Sequence, residues 1–308
     1  KESQRIGWAV KSDAGFLRLP GQFENLGELV LHRSQALQQA KQKADLVPEE
    51  SIQILSPATP SSQLICQGKN YSEHIREGGE NPADKTFNLF FQKASSSISG
   101  PEDVITRPTG VRLLDYELEL ALVIGKSIIE PARVDSQNLH EFVCGLVMAN
   151  DVSARDIQIP QNQWFKGKSF RGFCPVGPYV AFLEADEMTE IQNLELELRV
   201  NGEVRQSSGA DAMIYRPEET ISELSTILDL HPGDLVLTGT PSGVAMQAPS
   251  ALVQRLAAIF LSPGARNRLF VKKQLDRSQY LKDGDLVEST IRTRDGALDL
   301  GSQRHLVQ

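Results

Sequence analysis

Leu114-Asp115-Tyr116-Glu117-Leu118-Glu119-Leu120-Ala121-Leu122-Val123-Ile124 is the stretch whose reading decides the fold. It alternates as a β-strand does. Leu118, Leu120 and Leu122 point one way, and Asp115, Glu117, Glu119, Ala121 and Val123 point the other. One face therefore begins acidic and ends apolar. Carboxylates two residues apart on a strand lie roughly 6.5 Å apart on the same side. If that side is buried, their repulsion and desolvation must be offset. Hard oxygen donors suit Mg²⁺, Mn²⁺ or Ca²⁺ as the offset. An edge strand with a wet acidic face is the other reading of these residues alone.

Outward from this strand, the composition is that of an ordinary globular protein. The chain has 308 residues, 40% hydrophobic and 23% charged, enough for one large domain or a large and a small one. The formal charge is −8, and no Lys/Arg run exceeds Lys272-Lys273, which argues against a nucleic-acid or anionic-membrane surface. No apolar run reaches membrane-spanning length. The chain opens on Lys1 rather than Met, which leaves room for native residues ahead of it. Cys66, Cys144 and Cys174 are far apart and odd in number, so reduced buried thiols and a cytoplasmic location are expected.

Residues 1–58 are expected to form a small N-terminal α/β unit. Arg5–Val10 and Gly15–Leu19 read as a hairpin, 26–44 has helical spacing, and 56–62 reads as a linker. The texture from 59 to 308 is one of short β-like runs, among them 64–66, 87–91, 117–124, 143–149, 178–182, 194–200, 234–237 and 286–291. Helical pieces are expected at 135–142 and 217–228, and Asn201-Gly202 signals a two-residue hairpin turn. Without regular βαβ alternation, the fold class is α+β, mostly β. Residues 251–278 stand apart as an excursion, with a short amphipathic helix through Leu252, Leu256, Ile259 and Phe260 followed by a basic stretch.

Three further segments carry chemistry. His74 and Glu77 are three apart and share a face on a helical turn. A carboxylate beside an imidazole suits a general base, although a surface turn often holds an incidental pair of this kind. Asp151 ends an apolar run, where it could supply a third oxygen ligand or cap the next turn. Lys168 lies in an apolar, glycine-rich setting, either as a fixed positive charge or as a snorkelling surface lysine.

Taken in order, Tyr71-x-x-His74-x-x-Glu77, Asp115-Tyr-Glu117-x-Glu119, Asn150-Asp-Val-Ser-Ala-Arg155-Asp-x-Gln158, Lys168-Ser-Phe and Thr238-Gly-Thr240-Pro241-x-Gly243 closely resemble the fumarylacetoacetate hydrolase family from about Leu64 onward. The resemblance implies a mixed β-roll catalytic domain and a homodimer. It implies a divalent metal (Mg²⁺ or Mn²⁺, with Ca²⁺ as a third option) held by Glu117, Glu119 and Asp151. His74 and Glu77 would be the water-activating pair, and Lys168 would support a developing oxyanion. Lys69, Tyr71, Arg155, Gln158 and Thr240 would be the substrate-binding residues. Three departures bear on the substrate. Arg171 stands where an Asp is frequent, Gln67 stands where some members place a fourth ligand, and the 251–278 excursion is long.

The implied reaction is metal-dependent hydrolysis of a carbon–carbon bond in a β-diketo acid, acylpyruvate- or fumarylpyruvate-like, through a metal-bound enolate. Three carboxylates and a divalent cation sum to −1, and Lys168 returns the site to neutrality. A decarboxylase or isomerase acting on an oxaloacetate-type keto acid is the nearest alternative. A non-catalytic metal-binding interaction module is the alternative from another class.

Overall fold

The computed structural model describes residues 6–43, 45–161, 163–249, 253, 257 and 259–308. The chain starts with a small antiparallel sheet of β1 (Ala9–Ser12), β2 (Gly15–Arg18) and β3 (Leu46–Val47), with α1 (Leu26–Lys43) between β2 and β3. The expected hairpin is present, its turn tightened to Asp13 and Ala14. α1 buries two sets of side chains. Leu29, Ala36 and Ala40 pack with Leu19, whereas Leu26 and Val30 reach the core of the main sheet. The segment read as a linker also contributes, because Ala58 is buried in that same core.

The main sheet has seven strands. Its members are β4 (Leu64–Gly68), β5 (Leu89–Lys93), β6 (Ile98–Ser99), β8 (Leu118–Ile124), β9 (Val143–Asn150), β11 (Cys174–Phe182) and β14 (Leu235–Leu237). β7 (Leu114–Asp115) pairs separately with β10 (Ser153–Ala154). β12 (Leu194–Val200), β13 (Glu203–Gly209), β15 (Leu286–Thr293) and β16 (Asp299–Leu306) form a second, antiparallel sheet in the order β13-β12-β15-β16. The β12–β13 turn is the expected Asn201-Gly202, with φ +52 and +80.

The seven strands run β5-β4-β14-β8-β9-β11-β6. The two edge strands, β5 and β6, are separated in sequence only by residues 94–97. A flat sheet would hold those edges roughly 29 Å apart. Five Cα steps span at most about 18 Å, so the sheet must curl until its edges approach. This is the roll expected from the resemblance.

β8 lies inside the roll, hydrogen-bonded to β14 on one side and β9 on the other. Leu118, Leu120 and Leu122 join the larger core, while Ala121 and Val123 join the core that contains Cys66, Val147 and Leu237. The wet-edge reading is thereby excluded: Glu117 is 5% exposed and Glu119 1%. The strand begins at Leu118 rather than Glu117. The amides of Tyr116, Glu117 and Leu118 donate instead to side-chain oxygens of Asp115 (2.9 Å), Asn150 (3.0 Å) and Gln206 (2.9 Å). Those bonds interrupt the ladder without leaving a buried N–H unpaired.

Helices are shorter than the sequence suggests. The 135–142 segment keeps only a 3₁₀ turn at Leu139–Glu141, and the helix expected at 217–228 is α5 (Pro217–Leu224), preceded in the chain by α2 (Ser72–Glu77), α3 (Arg155–Gln161) and α4 (Trp164–Lys168). In the excursion, the basic stretch itself is helical as α6 (Pro263–Leu275). Leu252 and Leu256 lie outside the described residues. No helix among the described residues is long and apolar enough to cross a membrane.

The two sheets touch where the loop after β14 meets β13. Gly243 has φ +102, and a Cβ there would stand 1.8 Å from the carbonyl oxygen of Arg205, whereas a Cβ on Gly202 meets nothing within 4 Å. Gly202→Ala should cost about 1 kcal/mol, from backbone conformation alone. Gly243→Ala should cost more than about 3 kcal/mol. Urea unfolding of both variants checks this, and equal losses would show that the loop parts easily from the strand.

Candidate active site

Strand period and sheet register build the centre. Glu117 and Glu119 share a face, and the β8–β9 register sets Leu118 opposite Asn150, so Asp151 arrives beside Glu117. The Asp151 amide donates to the Glu117 carbonyl at 2.8 Å. Carboxylate oxygens of Glu117, Glu119 and Asp151 all lie within 4.8 Å of one another, and all three residues are buried. The Gly239 amide, in the loop that follows β14, donates to Glu119 Oε2 at 2.8 Å.

Three basic side chains enter from three other segments. Lys168 Nζ is 2.6 Å from both Glu117 Oε2 and Asp151 Oδ2. Lys93 Nζ is 2.5 Å from Asp151 Oδ1. Arg155 donates through Nε to Asp115 Oδ2 at 2.8 Å and through a terminal nitrogen to Gln158 Oε1 at 2.9 Å. Its other terminal nitrogen is 2.5 Å from Glu117 Oε1. Lys168 is buried, so the snorkelling alternative does not apply.

The pairing is uneven, and that decides what the centre can hold. Burial works against charge on Glu117, but Arg155 and Lys168 beside it hold its carboxyl below the usual range. Glu119 has no basic partner among the described residues. Burial, with Asp151 and Glu117 nearby, pushes its carboxyl well above the usual range. A hard divalent cation at Glu119 would relieve this excess, and the donors are all oxygen. The residues present therefore fit the metal that the resemblance implies.

Asp115 anchors the surroundings. Its Oδ1 accepts from the Tyr116 and Ala245 amides, and its Oδ2 accepts from the Met246 amide and Arg155. Asn70 ties two loops together, donating to the Tyr215 and Thr238 carbonyls at 3.0 Å each and accepting from the Tyr215 amide at 2.8 Å. Neither role is visible in the spacing of the sequence. Lys93 was also missed. It ends an apolar strand, and its partner Asp151 lies 58 residues later. Only the closure of the roll brings them together.

α2 forms the rim. His74 Nδ1 lies 3.5 Å from Glu77 Oε2, as the three-residue spacing requires. Glu77 Oε1 accepts from the Gly243 amide at 2.8 Å, which ties the pair to the loop that touches β13. Among the expected substrate contacts, the Tyr71 hydroxyl is buried with no hydrogen-bond partner among the described residues. Gln158 is buried with its carbonyl turned to Arg155. The Thr240 hydroxyl already donates to the Leu118 carbonyl at 3.0 Å and accepts from Gln206 at 2.8 Å. Arg155 is engaged by Asp115 and Glu117, so it orders the centre from behind. Lys69 is paired with Glu80 at 2.5 Å on the exposed rim and does not join the cluster. Gln67 bonds to Asn88 at 2.8 Å and is not among the clustered carboxylates. The three cysteines are free and buried, and burial pushes the Cys174 thiol up to about 12, so these thiols are unsuited to nucleophilic attack.

Residues 63–308 match the family described as fumarylacetoacetate (FAA) hydrolase C-terminal. The mitochondrial oxaloacetate tautomerase Fahd2a of Rattus norvegicus is 38% identical over 226 residues, 73% of this chain and 69% of that protein. The human mitochondrial oxaloacetate tautomerase FAHD2A is 36% identical over 245 residues, 79% of this chain and 73% of that protein. Among solved structures, the fumarylacetoacetate hydrolase of psychrophilic Exiguobacterium antarcticum is 30% identical and superposes with a TM-score of 0.68 over 97% of this chain and 94% of that one. The 5-carboxymethyl-2-hydroxymuconate delta-isomerase of Mycobacterium smegmatis is 28% identical, with a TM-score of 0.62 over 85% of this chain and 82% of that one. A roll closed around clustered acids, together with a match that runs from Gln63 to the last residue, establishes that the chain belongs to the fumarylacetoacetate hydrolase family.

Proposed function

We propose that this protein is a divalent-cation-dependent enzyme that acts on small 2-keto acids and hydrolyses a carbon–carbon bond in a β-diketo acid of the acylpyruvate type. The observation that supports this reading is a His74–Glu77 pair whose imidazole is near enough to Glu117 to act on it electrostatically, beside a buried three-carboxylate cluster that also holds Lys168. Glu117, Glu119 and Asp151 would hold the cation, which when bound supplies electrophilic stabilisation to the oxygens of a keto acid.

The chain's own residues account for the rest. Glu77 engages His74 at Nδ1, and Nε2, which has no hydrogen-bond partner among the described residues, would take a proton from water. The oxygen so activated adds to the distal carbonyl. The carbon–carbon bond then breaks with its electron pair passing to the pyruvate-type fragment, and the proton returns to carbon. Lys168, a buried ammonium held by two carboxylates, would stabilise negative charge that develops on substrate oxygen. The rings of Phe91 and Trp164, 5.2 and 6.0 Å from its Nζ, shield that side from water.

A second reading is tautomerisation of an oxaloacetate-type keto acid, supported by the names of the relatives at 36–38% identity. In it His74 moves a proton between carbon and oxygen and no water adds. Separate incubations with acetylpyruvate and oxaloacetate, with and without Mn²⁺, distinguish the two. Cation-dependent loss of the acylpyruvate enol absorbance supports hydrolysis. Accelerated enol–keto exchange of oxaloacetate alone supports the second reading, and inertness toward both favours a binding module.

His74→Ala should lower turnover by about 10²–10⁴-fold while leaving Mn²⁺ uptake near that of the parent. Parallel loss of both would assign His74 a structural role. Mn²⁺ at a hundred times its dissociation constant should stabilise the parent by about 2.7 kcal/mol. Glu119→Ala should lose most of that gain, and a thermal-melt series with and without EDTA reads it. A variant that gains as much as the parent would remove Glu119 from the ligand set.

A further inference from the structure

Residues 251–278 stand apart in the sequence, and the function proposed above uses none of them. Within this excursion, α6 carries Arg266, Arg268, Lys272 and Lys273 and no acidic residue. That is a formal charge of +4 on a helix of 13 residues, in a chain whose sum is −8. Arg268 and Lys272 are four apart, so they share a face and repel each other. Neither has an ion-pair partner among the described residues. The helix is nevertheless anchored. Asn267 donates to the Pro160 carbonyl at 3.3 Å, which fastens α6 to α3. The buried Gln274 donates to the Gln247 carbonyl at 2.6 Å and accepts from the Tyr280 hydroxyl at 2.8 Å. Both halves of α6 are therefore fixed while the repulsion between its cations stays unrelieved.

Between α6 and the end of α3 lies a cavity of about 360 Å³, a volume that suits a small organic molecule. Its charged lining is Arg112, Arg268 and Lys272, with no acidic residue among those that line it. Its apolar lining is Pro160, Val271 and Leu275. α3 turns Arg155 and Gln158 toward the acid cluster and Pro160 toward this cavity, so different faces of one helix serve the two places.

The lining dictates the ligand. Asp156 lies beside the cavity, its carboxylate 3.9 Å from Arg112 Nε and accepting the Arg112 amide at 2.9 Å. Three cations less this one acid sum to +2. A phosphomonoester carries about −1.5 to −2 at neutral pH, whereas a single carboxylate would neutralise half of the excess. Guanidinium forks also match phosphate oxygens in geometry. Phosphate alone would leave the apolar lining uncovered, and Leu275 is 40% exposed. A ring or short alkyl group on the phosphate would bury that surface.

We propose that the groove between α3 and α6 is a binding site, separate from the acid cluster, for small phosphomonoesters that carry an apolar substituent. Arg112, Arg268 and Lys272 hold the phosphate, and Pro160, Val271 and Leu275 receive the substituent. The assignment does not rest on the reaction proposed above.

The test is calorimetry of the parent chain with phenyl phosphate, inorganic phosphate and benzoate. Phenyl phosphate should bind at least about tenfold more tightly than either of the others. The double variant Arg268→Gln/Lys272→Gln should weaken phenyl phosphate by about tenfold or more. Leu275→Asn should narrow the gap between phenyl phosphate and inorganic phosphate by weakening the former only. Titrations with and without Mn²⁺ should agree. Affinity that appears only with Mn²⁺ places the probe at the acid cluster and overturns the proposal. Equal affinity for inorganic and phenyl phosphate means a diffuse positive surface and overturns it too, as does the absence of binding. Benzoate bound as tightly as phenyl phosphate overturns the assignment to phosphomonoesters. Arg112→Gln changes a separate segment and should also weaken phenyl phosphate. Should the double variant fail to fold, Arg112→Gln decides the matter, and unchanged affinity overturns the proposal.

Discussion

Burying like charges side by side is the constraint on which this structure depends. Glu117, Glu119 and Asp151 sit within a few ångströms of one another inside a closed roll, where water cannot screen them. Their charge is offset by ammonium and guanidinium groups from three separate segments: Lys93 at the end of β5, Arg155 at the start of α3 and Lys168 at the end of α4. The centre thus doubles as a cross-link between parts of the chain that the backbone ladder does not join. Among the described residues Glu119 alone of the three has no basic partner in contact, and it marks where a cation would complete the set.

The same economy extends to the rim. Glu77 is fastened to the Gly243 amide, and the Gly243 carbonyl accepts from the Tyr116 hydroxyl at 3.1 Å. Tyr116 lies between Asp115 and Glu117, so the helix carrying His74 and the strand carrying the acids meet through one glycine. The absence of a Cβ at that glycine lets β13 approach from behind. Positioning of the general-base candidate and contact between the two sheets therefore share a single backbone site.

Proteins similar to this chain carry the names of different activities. The relatives with oxaloacetate tautomerase names and the solved hydrolase and isomerase structures are consistent with that spread. The charge of the centre is a property that the ligand motif alone does not specify. Counting only Glu117, Glu119, Asp151, Lys168 and a cation gives neutrality. The folded protein adds Lys93, and the additional pair Asp115–Arg155 cancels.

Much of the site was legible because strand and helix periods are local. The two-residue spacing of Glu117 and Glu119 put them on one face with Ala121 and Val123, and the three-residue spacing of His74 and Glu77 put them on one turn. The Asn201-Gly202 turn was equally plain. The sequence by itself determined these features, since each follows from dihedral preferences within a few residues. Only the tertiary structure decided that Lys93 meets Asp151, that Arg155 is held by Asp115 and Glu117, that the Thr240 hydroxyl is already engaged, and that Lys69 stays on the rim with Glu80. Those contacts exist because a seven-stranded sheet has to curl when four residues join its two edges. Curling juxtaposes side chains whose separation along the chain carries no periodic signal.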